Sequence, residues 1–198
     1  DDETSRGLGD VYKRQIIPMP PWLTQLSSVQ RKESKLDSSR WLQLATIGID
    51  NNPRVRTVVF RGWSKSYEME IYTDKRSQKY HELNLNNNVE ICWLFSRSKC
   101  QFRFRGTSTI ELDKYNLLHW EKLSEQSRLM WSWPTPGNQF NLEKTNDFSV
   151  KSIKELSNNF TVLKIKINHV DQLLLRKPVH TRRRWIRAND WKEESINP

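Results

Sequence analysis

Between two apolar runs of β type stands a polar knot, Thr73-Asp74-Lys75-Arg76-Ser77-Gln78-Lys79. A strand that ends in hydroxyls and cations and then enters a helix gathers donors for an anion. Thr73 would end the strand, while Ser77 and Lys79 would open the helix. Hydroxyl and amide donors, a lysine and the positive end of a helix suit a phosphate monoester. The same residues also fit a solvated turn with Ser77 as helix cap, and this segment alone does not choose. A neighbouring run, Arg54-Val55-Arg56-Thr57-Val58-Val59-Phe60-Arg61, puts Arg54 and Arg56 on one strand face and Thr57, Val59 and Arg61 on the other. Guanidinium groups on strands recognise phosphate rigidly and in bidentate fashion, although a hairpin of solvent-facing arginines has the same pattern. Gln101, on a further strand, can donate to and accept from a heterocycle edge.

The bulk composition bounds what these residues can serve. A chain of 198 residues suffices for one well-filled core. An aromatic content of 11%, with nine tryptophans, argues against disorder. The net charge of +10 asks for an anionic partner, and nucleic acid, a membrane surface and a phosphorylated small molecule all qualify. The six glycines never form GxGxxG or GxxxxGK, which excludes a nucleotide held by those loops. No apolar stretch is long enough to span a bilayer, so a soluble protein without a membrane partner is expected. Cys92 and Cys100 lack metal or disulfide spacing, and the four histidines are scattered. Reduced thiols, no metal and a cytoplasmic location follow as expectations.

The first fifteen residues, DDETSRGLGDVYKRQ, have no periodicity, caps or apolar face, and GLGDVYKRQ resembles translated adaptor sequence. Residues 1–15 are read as a non-native or disordered prefix, not a signal peptide, and residues 16–198 as a single domain. The prefix holds four acids and three bases, so the positive charge belongs to the remainder.

The elements that must position these groups are legible from pattern. Pro20-Pro21 before Trp22, Leu23, Leu26 and Val29 predicts a helix with proline at its start. Strands are expected over 41–49 and 54–62, joined at Asp50-Asn51-Asn52-Pro53 as a hairpin, and over 68–73. Ser77 would cap a short helix over 78–86 that ends in Asn86-Asn87-Asn88. Strands follow over 89–95 and 100–112, the second alternating Gln101, Arg103 and Arg105 with Phe102 and Phe104. One helix is expected from Asp113 to about Met130, with Tyr115, Leu118 and Leu123 inward, broken by Trp133-Pro134-Thr135-Pro136-Gly137. A helix over Phe148–Leu156, a strand over 160–167 and a last strand pair, 173–176 with 180–187, complete the reading. Short antiparallel strands at this spacing favour a closed or partly closed barrel over a parallel sheet.

Taken in order, "PRVRTVVFR", "IYTDKRSQKYHEL", "NNNVEICWLF" and "CQFRFRG" resemble pyridoxamine 5′-phosphate oxidase and its relatives. "VHTRR" resembles that family's H-x-R, and "DWKEESINP" its closing W-K-x-x-x-x-x-P. The resemblance covers residues 40–112 well and 160–198 loosely. It implies a mainly β fold with peripheral helices, a split β-barrel of antiparallel, Greek-key type that binds FMN, and a homodimer with flavin at the interface. Carried over, Arg56 and Lys79 would hold the FMN phosphate with the Tyr72-Thr73 corner. The segment Arg56, Thr57, Val58, Val59 and Arg61 would run beneath the flavin, Gln101 would meet the isoalloxazine, and Arg182 would stand near its N1/C2=O side. A cation there favours the reduced flavin. The flavin would take the hydride while the protein orients a small-molecule substrate, so no catalytic side chain is named.

Departures from the family pattern bear on the substrate. The second phosphate-binding arginine is Gln78 here, and the lysine that meets substrate phosphate is Arg61. The substrate-holding tyrosine and arginine fall at His119 and Leu123, and Ser127 alone of that set fits. The arginine before H-x-R falls near Pro178, and a flavin-stacking tryptophan near Leu173. Substrate contacts are therefore confined to Arg61, Ser127 and His180, and an FMN-dependent oxidoreductase with an unknown substrate is expected, in the uncharacterised branch of the superfamily. The alternatives are true pyridoxamine 5′-phosphate oxidase, making pyridoxal 5′-phosphate with O₂, and a basic nucleic-acid-binding module built on Arg182-Arg183-Arg184-Trp185 with Arg103 and Phe104.

Overall fold

The computed structural model describes residues 17–140 and 154–198. Its elements in chain order are α1 (Pro21–Lys32), β1 (Trp41–Ile47), β2 (Pro53–Trp63), β3 (Met69–Asp74), α2 (Gln78–Leu85), β4 (Asn88–Phe95) and β5 (Cys100–Ile110). Then come α3 (Asp113–Trp120), α4 (Glu125–Leu129), β6 (Phe160–Leu174), β7 (Thr181–Ile186) and β8 (Glu193–Ile196). Every strand pairing is antiparallel.

Closure depends on β6. It pairs along its length with β5, while its other edge divides: Phe160–Ile165 bond to β3, and His169–Leu174 bond to β7. Six strands, in the cyclic order β1-β2-β3-β6-β5-β4, close as a barrel, and β7 and β8 fan away from the far half of β6. This is the split barrel expected. Period-two alternation builds it: Leu42 and Leu44, Val58 and Phe60, Ile91, Trp93 and Phe95, and Phe102 and Phe104 all point inward and are buried. One glycine is structurally required. At the β5–β6 bulge after Arg105, a Cβ on Gly106 would lie 2.3 Å from the Lys166 carbonyl oxygen.

Helices close the two ends. Proline stands at the start of α1, whose Trp22, Leu23 and Leu26 are buried, with Trp22 packed 5.6 Å from Trp63 and 5.7 Å from Phe104 between ring centroids. At the opposite end of β2, α2 buries Glu82 and Leu83. Among the described residues no helix is long and apolar enough to cross a membrane.

Several expectations need correction. The helix expected from Asp113 to Met130 is two, because Ser124 caps a new start: its Oγ accepts from the Ser127 N–H at 3.2 Å. Leu118 is exposed rather than inward. The inward face of α3 is instead Asn116, His119 and Trp120, with Asn116 Oδ1 accepting from the Val162 N–H of β6 at 2.9 Å. The strand expected over 173–176 is the tail of β6, which runs through without a breaker. Strand β8 was not foreseen from Glu193-Glu194-Ser195-Ile196, a sequence of weak strand propensity. It is held through Arg183–Glu193 and Arg184–Glu194 ion pairs to β7. The prefix 1–15 and residues 148–153 of the helix expected over Phe148–Leu156 lie outside the described residues.

Candidate functional site

The polar knot folds onto the α2 end of the barrel. Thr73 is buried at the end of β3, and Ser77 occupies the N-cap position of α2. Its hydroxyl does not cap the helix, contrary to expectation. Ser77 Oγ donates to the Asp74 carbonyl at 2.7 Å, accepts from Lys79 Nζ at 3.3 Å and lies 3.4 Å from Thr73 Oγ1. The solvated-turn alternative fails, since Ser77 is only 5% exposed. The neighbouring cation of the knot, Arg76, is neutralised by a two-point contact with Asp74.

Arg56 comes to the same end from β2. It lies on the inward strand face with Val58 and Phe60, as the alternation required. Its Nη2 contacts Glu82 Oε2 at 2.7 Å, and its Nη1 donates to Thr46 Oγ1. Thr46 in turn donates to the same Glu82 oxygen at 2.6 Å. Arg56 is thus clamped, with two of its five N–H donors committed. Burial lowers the pKa of Lys79, and the nearby positive charge of Arg56 lowers it further. Two cations are therefore held near one another at the barrel end, and the nearby Glu82 carboxylate is already bonded to Arg56.

The opposite face of β2 forms part of the outer wall. Thr57 and Arg61 are exposed there and Val59 is half-buried, whereas the Val58 side chain belongs to the core and only its main chain can serve a ligand. The outer wall has a transverse row set by strand register: Thr57, Gln43, Cys92, Arg103 and Asp171 lie opposite one another on successive strands. Beside it, the Arg61 guanidinium stands 4.9 Å over the Tyr72 ring. Tyr72 Oη is 3.0 Å from His119 Nδ1, and His119 Nε2 is 3.7 Å from Glu70 Oε1, which also accepts from Tyr115 Oη. Burial pushes the His119 imidazole below its ordinary value and the Tyr72 phenol above its own. A neutral imidazole with its proton on Nε2, toward Glu70, can accept at Nδ1 from the Tyr72 hydroxyl.

A third group lies across the wall. Gln101, Arg103, Asp171, Leu173, Arg182 and Pro198 line a hollow of about 120 Å³. Gln101 and Arg182 thus share one concavity, joined through Leu173, which pairs with both. They do not join Arg56 and Lys79. Arg56 connects through Leu44 and Ile91 to Phe104, three residues along β5 from Gln101, and the two groups face opposite sides of the wall.

The remaining sequence candidates are dispersed. Ser127 Oγ is 2.9 Å from the Ser124 cap, His180 is exposed, and Leu123 packs on the cluster of Trp120, Phe160 and Val162. His119, tied to Tyr72 beneath α3, is only 7% exposed. Arg182, Arg183 and Arg184 each face a carboxylate, namely Asp171, Glu193 and Glu194, so they form no open basic stripe. Thr46 and Glu82 are site residues that the sequence reading missed. The signal for Glu82 was its place three residues after Lys79, on the same side of a short helix.

The family model "Pyridoxamine 5′-phosphate oxidase, FMN-binding domain" matches residues 19–111. Pyridoxine/pyridoxamine 5′-phosphate oxidase 2 of Arabidopsis thaliana is 38% identical over 135 residues, covering 64% of this chain and 68% of that protein. A crystal structure of a pyridoxamine 5′-phosphate oxidase-related, FMN-binding protein from Nostoc punctiforme aligns with a TM-score of 0.85 at 29% identity, over 91% of this chain and 100% of that one. PhzG of Burkholderia lata, solved with tetrahydrophenazine-1-carboxylic acid, shares the fold with a TM-score of 0.79 at 18% identity, covering 91% of this chain and 94% of that one.

Proposed function

Because this chain belongs to the pyridoxamine 5′-phosphate oxidase family, we propose that it binds FMN and acts as an FMN-dependent oxidoreductase on a small molecule. The observation that carries this reading is the state of Lys79. It is desolvated, repelled by Arg56 and bonded to a hydroxyl. The nearby carboxylates Glu82 and Asp74 are paired to Arg56 and Arg76, so Lys79 is left as a cation that a phosphate would balance. In this reading Arg56, Lys79, Thr73 and the Ser77 hydroxyl hold the phosphate. Thr57, the Val58 and Val59 main chain, Arg61 and Tyr72 border the ring, and Gln101 and Arg182 meet its polar edge. Bound there, the flavin supplies reversible two-electron acceptance. The protein's residues bind, orient and exclude water, and the 3.0 Å contact with His119 fixes the Tyr72 hydroxyl beneath Arg61.

One chain does not bring the phosphate group and the Gln101–Arg182 group to one face. A homodimer, with the second copy supplying the latter, reconciles them. Trp41, Val55 and Leu94 stand exposed on the outer wall, Leu94 directly beside Gln101 and Val55 next to Arg56 in β2, which suits a covered face. Both cysteines are free, in keeping with a reducing, cytoplasmic setting.

A second reading, pyridoxamine 5′-phosphate oxidase proper, is favoured by the 38% identity to the Arabidopsis enzyme. It is disfavoured by the commitment of His119 to Tyr72 and by the apolar Leu123, which leave Arg61 as the cation for a substrate phosphate. Purified protein should be yellow, with an absorbance band near ~450 nm bleached by dithionite, as a protein-held flavin requires. Colourless protein that refuses added FMN would overturn the flavin reading. Release of pyridoxal phosphate and peroxide from pyridoxamine phosphate would select the second reading.

A further inference from the structure

We infer that Asp171 is a positioning residue that fixes Arg182 and Arg103 as a paired cationic edge, with Arg103 joining Gln101 and Arg182 in contact with the pyrimidine carbonyls of the flavin. This inference rests on the FMN reading above.

Asp171 is 3% exposed, yet it lies on the outer side of β6 beneath three side chains. Its Oδ1 accepts from Arg182 Nε at 3.3 Å and pairs with Arg182 Nη2 at 3.3 Å. Its Oδ2 accepts from Arg103 Nη2 at 3.3 Å and meets His169 Nε2 at 3.1 Å. Burial pushes this carboxyl up, but the hydrogen bonds from Arg182 and His169 bring it below its ordinary value. It is therefore a charged carboxylate with both oxygens occupied.

The partner choice along β7 is informative. Arg183 and Arg184 pair with Glu193 and Glu194, exposed or half-exposed residues of the adjacent strand. Arg182 has no such option, because its register partners are Leu173 on one side and Ile196 on the other. It reaches diagonally to a buried acid. That contact takes Nε and Nη2, on one edge of the guanidinium, and leaves Nη1 for the hollow that Gln101 and Arg103 also line. Arg103 lies directly opposite Asp171 and two residues from Gln101 on the same face of β5. One carboxylate thus sets the azimuth of two guanidinium groups, and a planar ring edge bearing carbonyl acceptors is the partner such a fork fits.

The test compares Asp171→Asn, Arg103→Ala, Arg182→Ala and Arg182→Lys with the wild-type protein, by FMN titration and by the midpoint potential of the bound flavin. Positioning predicts that Asp171→Asn behaves like Arg182→Ala: FMN binds about tenfold more weakly and the potential falls, because the cation that favours the reduced form is no longer aimed. Arg103→Ala should weaken FMN binding as well. A carboxylate acting only as a nearby negative charge predicts the reverse for Asp171→Asn, a raised potential and unchanged or tighter binding, and that result overturns the inference. Unchanged values with FMN bound overturn it too, while leaving the flavin reading intact. Wild-type protein that binds no FMN overturns both. If Asp171→Asn fails to fold by circular dichroism, Arg182→Lys decides. It keeps the charge but lacks the fork, so affinity and potential should fall toward those of Arg182→Ala, and retention of both overturns the inference.

Discussion

The Arg56 guanidinium and the Lys79 ammonium converge on the end of the barrel, one from strand β2 and the other from the first turn of α2. Burial and the charge of Arg56 together hold the Lys79 pKa below its ordinary 10.5. Desolvation and this like charge outweigh the opposing pull of Asp74 and Glu82 on Lys79, so the free protein gains from losing that charge and an anion is favoured beside it. Lys79→Ala should therefore leave the free protein as stable as wild type or more so, while weakening FMN binding by about 1.5–3 kcal/mol, the worth of a charge-assisted contact. Arg56→Ala should lose similar affinity but also destabilise, by about 2–3 kcal/mol, because Glu82 is left buried without its cation. Thermal melts and FMN titrations separate the two signs. Wild-type FMN affinity in both variants would remove these residues from the site.

The lowered Lys79 pKa also fixes a pH dependence. Phosphate binding needs the ammonium form, so affinity should decline as pH rises, beginning below 10.5, the ordinary lysine value. Lys79→Arg, charged throughout the range, should flatten that decline. Titration of FMN between neutral pH and pH 10 checks it, and an identical slope in the arginine variant would assign the decline to another group.

Much of this arrangement was legible in the sequence because period-two alternation states which face of a strand is buried. The faces of Arg54–Arg61 and the alternation of Gln101, Arg103 and Arg105 follow their spacing. Thr73, Ser77 and Lys79 lie at the strand end and helix start as expected, although Ser77 does not cap the helix. What escaped depends on long-range pairing. Glu82 matters because β1 and β2 bring Thr46 and Arg56 to it, and no local pattern encodes that meeting. Asp171 likewise meets Arg103 and Arg182 only because β5 and β7 lie on either side of β6. The face of α3 was misread because its inward residues include Asn116 and His119, polar groups whose partners lie on β6 and β3.

His119 gives a second pH effect, on stability. Burial depresses its pKa in the folded protein, so the unfolded chain binds the proton more readily. The stability of the Tyr72–His119 arrangement is then present above the unfolded value of about 6.5 and is lost as pH falls through the folded value. Denaturant melts between pH 7 and pH 5 should show stability falling with acidification, and His119→Gln should reduce the slope. A variant with the wild-type slope would move the effect to other groups.

The outer wall supplies the last prediction. Trp41 is 49% exposed, Val55 70% and Leu94 48%, and all three project from the faces of β1, β2 and β4 that also carry Gln43, Thr57 and Cys92. By strand spacing the Arg56 group and the Gln101 group are about 17 Å apart along the wall, three strands across and three residues along. A second copy laid against this wall would bring its own Gln101 and Arg182 to the first copy's phosphate cluster. Val55→Asp and Leu94→Asp place charge on this exposed apolar face without touching the core. If the face is shared between copies, each variant should stay folded, shift toward monomer in light scattering and lose FMN. Coupled loss of dimer and flavin is the signature of a site shared between copies. A monomeric variant that keeps FMN at wild-type affinity would confine the whole site to one chain, and would require Gln101 and Arg182 to serve something other than the flavin.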